Sequence, residues 1–456
     1  MTPLTAASRL PSFVPALLVF SVAWLAQWPL VSNPGYFSHD ELQWAAFAAE
    51  GRSFPWLAVD AFQYRPLTFN LWLALSRWLF DTPQAFHSVL VGWGSANAVL
   101  LFVLTRRCGA AAWPAAAGAL LFALGPYAAY VHGWVGTIGD LAWVSCGLLA
   151  MLLVHRDARW PTAVVVAAVA TLVGLLAKEA ALALPALFVV AWLVDGRSRR
   201  WAAATAASGV VAIAYLAVRL DVLLHAPRTG DQYTVSAANV PLRWVEYQVY
   251  PAMSGTAEVF NTFIGGVTGS VMLSALLWLA LGTVLWRAGW RCFVVWFAGG
   301  IAALAPVLPM AASWNQYAYG FAATMAMAMA LAWRGAPRWG RAILVVYGLL
   351  VVAHGQSVTH QVREVGEVQA RFSPTLTRAL ARCTPDAGLR LRPAPEADAW
   401  IFARITHDIP SYEGVSMGDR VALAGPGEPA DMEIARDGGL AWLPGGACSP
   451  TASLRP

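Results

Sequence analysis

The sequence predicts an all-α polytopic membrane protein, and three observations carry that prediction. Hydrophobic residues make up 58% of the 456 residues and charged residues 12%, against roughly 45–50% and about 25% in soluble domains. So little charge cannot cover a water-facing surface. Apolar runs approaching the length of a membrane span, about 17–25 residues, recur along most of the chain. Arginines gather in alternate connections between those runs, as expected of the cytoplasmic side.

The first run covers residues 13–31. No small-residue cleavage site follows it, so it reads as a retained helix. A polar stretch occupies 32–65, and the next apolar piece, 67–80, carries Arg77 and is too short to span, so a helix at the interface is expected there. The runs 86–104, 113–131 and 141–154 cross; the first ends at Arg106 and Arg107, the last at His155, Arg156 and Arg159.

Residues 161–194 form one apolar stretch of about 33 residues. As a single helix it would measure about 50 Å against a hydrocarbon core of about 30 Å. Lys178 and Glu179 lie in its middle, and Arg197, Arg199 and Arg200 close it. With both flanking arginine clusters on one side, the stretch crosses twice, and Lys178-Glu179 sits at the outer turn. Residues 202–218 lead to an outer segment, 219–266, and 271–285 returns to Arg287 and Arg291. Residues 293–308 go out, 319–333 come back to Arg334, Arg338 and Arg341, and 343–353 leave for the last time. The expectation is about eleven spans in the plasma (bacterial inner) membrane, with the N-terminus cytoplasmic and the C-terminus outside. Residues 1–354 would form the membrane domain. Residues 355–456, richer in Pro, Gly and charge, would form an exported tail or small domain.

Several function classes drop out. The net charge is only +5 and Lys178 is the only lysine; no arginine cluster sits on a soluble part, so nucleic acid is not a partner. The five cysteines lack metal-type spacing. Neither a P-loop nor a fixed-period repeat is present. Cys383 and Cys448 are the only cysteines of the tail, and an exported pair is expected to close as a disulfide.

Five short segments could carry chemistry. His39-Asp40-Glu41 follows the first span: its two carboxylates suit a general base at a low-dielectric rim, or simply the acidic start of a helix. Tyr64-Arg65-Pro66-Leu67-Thr68, with Phe86-His87 downstream, offers Arg65 either to a phosphate or as an interfacial anchor. Gly139-Asp140-Leu141 opens a span, with Asp140 as N-cap or cavity group. Leu175-Leu176-Ala177-Lys178-Glu179 places ionisable groups at membrane depth, where they tend to mark sites, or forms a local Lys–Glu pair. Trp314-Asn315-Gln316-Tyr317 closes the ninth span.

In this order and spacing the motifs resemble the GT-C superfamily of lipid-linked-sugar glycosyltransferases, and among them the protein O-mannosyltransferase group and its transmembrane relatives. The likeness covers roughly residues 10–335. It implies an inverting, hexosyl- or mannosyl-transferring enzyme taking sugar from a polyprenyl-phosphate donor. The acceptor would be an envelope glycan, a lipid or a protein hydroxyl on the outer side. It implies Asp40 as base with Glu41 beside it, Arg65 and Lys178 on the donor phosphate, and His39, Tyr64, His87, Asp140, Glu179 and Tyr317 as candidates to line the cavity. A monophosphate leaving group asks little of a metal, so no obligatory divalent cation is expected, although one is compatible. Relatives often carry an arginine near the tyrosine before the tenth span, where this chain reads Asn315-Gln316-Tyr317. The rival readings are a lipid-linked-sugar flippase, which would favour paired halves with broken midplane helices, and a non-catalytic protein of the same fold.

Overall fold

A computed structural model describes residues 13–155, 159–225, 234–253, 266–384, 387–425 and 427–444. Helices dominate, and prolines start many of them, because a missing N–H costs nothing in a first turn. The first run breaks at Gln27 into α1 (Phe13–Ala26) and the single turn α2 (Trp28–Val31). Then come α3 (His39–Ala49), α4 (Pro66–Leu79) and the long α5 (Pro83–Arg107). The next crossing is bent by 56° where Gly125-Pro126 joins α6 (Ala112–Leu124) to α7 (Pro126–Gly133).

Helix α8 (Ile138–His155) is followed by α9 (Trp160–Ala177). The break expected at Lys178 is present: its backbone is extended, and one 3-10 turn, Glu179–Ala183, leads into α10 (Leu184–Val194). Helix α11 (Arg199–His225), α12 (Val240–Val249) and α13 (Gly269–Ala288) follow. Gly289, at φ +145°, turns the chain into α14 (Trp290–Leu304), a conformation that favours glycine. Helices α15 (Tyr319–Ala332) and α16 (Arg338–Leu380) complete the body.

Six of these helices are long and apolar enough to cross a membrane, seven with the bent α6–α7 pair; α1, the 3-10 turn with α10, and α14 are shorter apolar helices. Many outward residues are large and apolar, among them Leu17, Val210, Ile213, Leu276 and Leu349. Outward-facing apolar patches on this scale need a non-aqueous surround. The chain is an integral membrane protein.

The tail departs from an all-α expectation. The composition change at residue 355 falls inside α16, which runs unbroken for 43 residues, about 64 Å or twice the hydrocarbon core. Gly355 lets it pass close to the α6–α7 bend, where an added Cβ would lie 1.9 Å from the Leu124 carbonyl. Beyond α16 the chain forms a small α/β unit. Strands β1 (Leu389–Pro393), β4 (Val421–Leu423), β5 (Met432–Ile434) and β6 (Leu440–Trp442) make one sheet in the order β4-β1-β5-β6. The β1 pairings are parallel and β5–β6 is antiparallel. Helix α17 (Ala399–Ile405) and the hairpin β2 (Ser411–Tyr412)–β3 (Val415–Ser416) complete it. The sheet forms because short alternating runs such as Leu389-Arg390-Leu391 bury one face. Cys383 is disulfide-bonded; Cys448, the partner expected from the sequence, lies outside the described residues.

Candidate active site

The YRPLT, GDL and LLAKE segments meet at one point. Thr68 Oγ1 of α4 donates to the carbonyl of Ala177 at 2.6 Å. Gly139 of α8 sits beneath that contact: a Cβ there would lie 2.9 Å from the Ala177 carbonyl and 3.0 Å from Thr68 Oγ1. This close packing brings four charged side chains from three segments together. Lys178 Nζ pairs with Asp140, both almost fully buried, and Arg65 Nε donates to Glu179 Oε2 at 2.7 Å. Asp140 is therefore not an N-cap; it stands in the first turn of α8 and holds Lys178. Nor do Lys178 and Glu179 pair locally, since neighbours leave a chain in different directions.

Arg65, Lys178 and Glu179 form the charged floor of a cavity of about 240 Å³ whose walls include Phe62, Leu223, Val307 and Met310. Tyr317 joins them, with Lys178 Nζ 4.9 Å from its ring centroid. Tyr317 is placed by α12 and the turn after it: Ser313 Oγ donates to the buried Glu246 at 2.6 Å, and Asn315 Nδ2 to Tyr250 Oη at 3.2 Å. The loop that brings Phe62 to the cavity is held by Arg219, which is buried and donates to Phe62 O at 2.8 Å. Nothing in the sequence marked Arg219 or Glu246 out; both act through neighbours far away in the chain.

Tyr64 and His87 do not line this cavity. Tyr64 Oη donates to the Trp56 carbonyl at 2.7 Å. His87 Nε2 contacts the Gly35 carbonyl at 2.9 Å and is fully buried. That histidine fixes the segment leading into α3, where Asp40 lies.

Helix α3 starts with a capping box. Ser38 Oγ accepts from Asp40 N at 3.3 Å, and Glu41 reaches back to Ser38 N at 2.8 Å. The two adjacent carboxyls then diverge. Glu41 is fully buried and accepts three backbone N–H groups: Phe37 and Ser38 on one oxygen, Val135 on the other, at 2.6–2.9 Å. Burial pushes its carboxyl up to about 8, even against those donors. Glu41 is thereby committed to tying α3 to the turn before α8. Asp40 is partly open, its side chain 30% exposed, with His39 Nε2 2.9 Å from one oxygen. Burial pushes it up as well, but the His39 hydrogen bond and the charges of His39, Arg404 and His407 outweigh it, so its carboxyl lies below the usual range. Of the pair, Asp40 is the ionised, reachable one.

Glu41→Ala would strand three buried N–H groups, each costing about 1–3 kcal/mol when unsatisfied. The expected result is a large fall in thermal midpoint in detergent, with Glu41→Gln falling less because one acceptor oxygen remains. Loss of transfer with an unchanged midpoint would instead make Glu41 part of the chemistry.

Two of the groups around Asp40 come from the C-terminal unit. Arg404 of α17 lies with its guanidinium 5.5 Å from the Phe37 ring centroid and 5.3 Å from that of Trp134. His407 packs edge-on against His39, centroids 5.1 Å apart. Gln43 Nε2 donates to the Asp408 carbonyl at 3.2 Å. The long α16 makes this possible, its Gln369 accepting from Tyr36 N at 2.8 Å. Asp40 and His39 are not among the residues lining the cavity at Lys178; the turn carrying Trp134 and Val135 stands between the two groups in sequence and leads directly to Asp140.

A comparison with solved structures finds the same architecture in a cryo-EM structure of arabinofuranosyltransferase AftD from Mycobacteria. The likeness has a TM-score of 0.52 at 16% identity and covers 91% of this chain. The chain shares its fold with that structure. It spans 32% of the AftD chain, so the match is to one part of a larger protein. No family model matches the chain, and no curated protein does. The fold part of the resemblance is thus supported, whereas the grouping with mannosyltransferases receives no support from this neighbour.

Proposed function

We propose that this chain is an inverting glycosyltransferase that moves a sugar from a polyprenyl-phosphate donor to a hydroxyl acceptor at the outer face of the membrane. The observation that carries the proposal is the meeting of three separate motifs at Arg65, Lys178 and Glu179, on the floor of an apolar-walled cavity. Apolar walls suit a lipid chain and paired cations suit its phosphate. Ionisable residues buried among membrane helices are costly and are functional-site candidates by default. The likeness in fold to an arabinofuranosyltransferase agrees with this reading.

In the proposed step the acceptor oxygen attacks C1 from the face opposite the phosphate. The C1–O bond to phosphate breaks, the phosphate leaves with the electron pair, and the hydroxyl proton passes to Asp40. Arg65 and Lys178 stabilise the charge that builds on the leaving phosphate, usually the largest catalytic contribution. The acceptor is an envelope glycan, a lipid or a protein hydroxyl. The eleven-span path, with Asp40 outside, the arginine-rich connections inside and the C-terminal unit beside Asp40, belongs to the same proposal. Comparing envelope glycans and glycoproteins by mass spectrometry, with and without this protein, tests it: a missing sugar restored by the wild-type gene is expected, and identical profiles would count against it.

The C-terminal unit has a part in this. With Arg404 and His407 beside Asp40, the base stays ionised to lower pH than a free carboxylate. Arg404→Gln removes one charge that lowers the Asp40 pKa, so the acid limb of the transfer-rate pH profile should move to higher pH, with Arg404→Lys recovering part of the shift. An acid limb that stays put in Arg404→Gln would separate the C-terminal unit from the base.

A further inference from the structure

A second cavity, larger than the one at Lys178, lies on the face of the helix bundle opposite Asp40. Helix α5 runs 25 residues from Pro83, near the α3–α4 side, to Arg107, about 37 Å away. At that far end the tips of α5, α8, α10, α14 and α15 enclose about 630 Å³. Leu104, Met151, Leu187, Val190, Val295 and Met327 supply apolar walls. At the mouth stand Arg107, Arg291, Arg334 and Arg341, all exposed.

These four cations have no carboxylate partner among the described residues. The one acid lining the cavity, Asp195, is engaged by Arg200 Nη2 at 2.8 Å and Trp201 Nε1 at 2.7 Å. Carbonyls orient two of the guanidiniums without neutralising them: Arg107 donates to Leu152 O at 3.0 Å, and Arg341 to Trp333 O at 3.2 Å. The positive-inside tendency explains arginines at this face. It does not explain why four, without a carboxylate partner among the described residues, converge on one largely apolar cavity.

An occupant must therefore combine a net negative head with an apolar chain, and it must be abundant at this face. We propose that the cavity binds an anionic phospholipid of the arginine-rich leaflet, one acyl chain inside and the phosphate among Arg107, Arg291, Arg334 and Arg341. Fork-shaped guanidiniums suit phosphate oxygens, and an apolar chain restores the contacts that an unfilled cavity forfeits. The proposal needs only the chain's place in a membrane and stands apart from the transferase reading.

Native mass spectrometry of the full chain, titrated separately with phosphatidylglycerol and phosphatidylcholine, tests it. Phosphatidylglycerol should bind at least about tenfold more tightly, and the double variant Arg334→Gln/Arg341→Gln should lose about tenfold of that affinity while phosphatidylcholine binding stays the same. Ala191→Phe, which fills the cavity but leaves every arginine, should weaken binding of both lipids. Equal affinities in the wild-type protein would overturn the proposal even if both variants failed to fold. An unchanged phosphatidylglycerol affinity in a folded double variant would overturn it too, as would binding of a polyprenyl phosphate alone.

Discussion

Asp40→Asn should abolish sugar transfer while leaving the protein folded in the membrane. Asparagine keeps the size of the side chain and its place in the first turn of α3. It cannot accept a proton at neutral pH, and loss of a general base typically costs about 10²–10⁴ in rate. The fold should tolerate the change, because Asp40 is partly exposed and an amide oxygen can keep the contact with His39, while the neighbouring Glu41 carries the structural hydrogen bonds. Single-turnover transfer with bound donor is the measurement; a rate within a few-fold of wild type would mean that another group takes the proton.

Lys178→Ala should have an effect as large, but first on folding. Its side chain and that of Asp140 are 7% and 1% exposed. Removing the lysine leaves a buried carboxylate without its counter-charge, a change that costs about 3–5 kcal/mol. Loss of folded protein is the expected outcome, and by itself it reports nothing about the donor. The double variant Asp140→Asn/Lys178→Met separates the two roles. Replacing both charges removes the stranded carboxylate, so most of the stability should return. Donor affinity should remain about ten- to a hundredfold weaker, the worth of one charge-assisted contact of about 1.5–3 kcal/mol. A folded double variant with wild-type donor affinity would reduce the Asp140–Lys178 pair to architecture.

Much of the membrane body was legible because its signals are local. Apolar runs mark helices, and the mid-stretch Lys178-Glu179 marks a break that the extended backbone at Lys178 realises. The short motifs also come together in the fold, since Thr68, Gly139 and Lys178 meet. Their pairing was not legible. Which carboxylate takes Lys178 depends on how α8 and α9 pack, and in sequence Glu179 is nearer than Asp140. Tyr64 and His87 carry polar groups that satisfy backbone carbonyls instead of facing the cavity, and composition cannot tell these apart. The tail was hardest. Its strands are three to five residues long apart from the two-residue hairpin, too short for periodicity to register, and Arg404 lies more than three hundred residues from Asp40. Only the length of α16 brings the two together.

The central claim is that the chain breaks the bond between a sugar and a lipid phosphate. Purified protein in vesicles, loaded with polyprenyl-phosphate sugars and an envelope-glycan acceptor, tests that claim most directly. The account predicts release of polyprenyl phosphate in step with glycosylated product of inverted anomeric configuration, in wild type and not in Asp40→Asn. Donor lipid carried intact from one leaflet to the other, with no phosphate released, would contradict it.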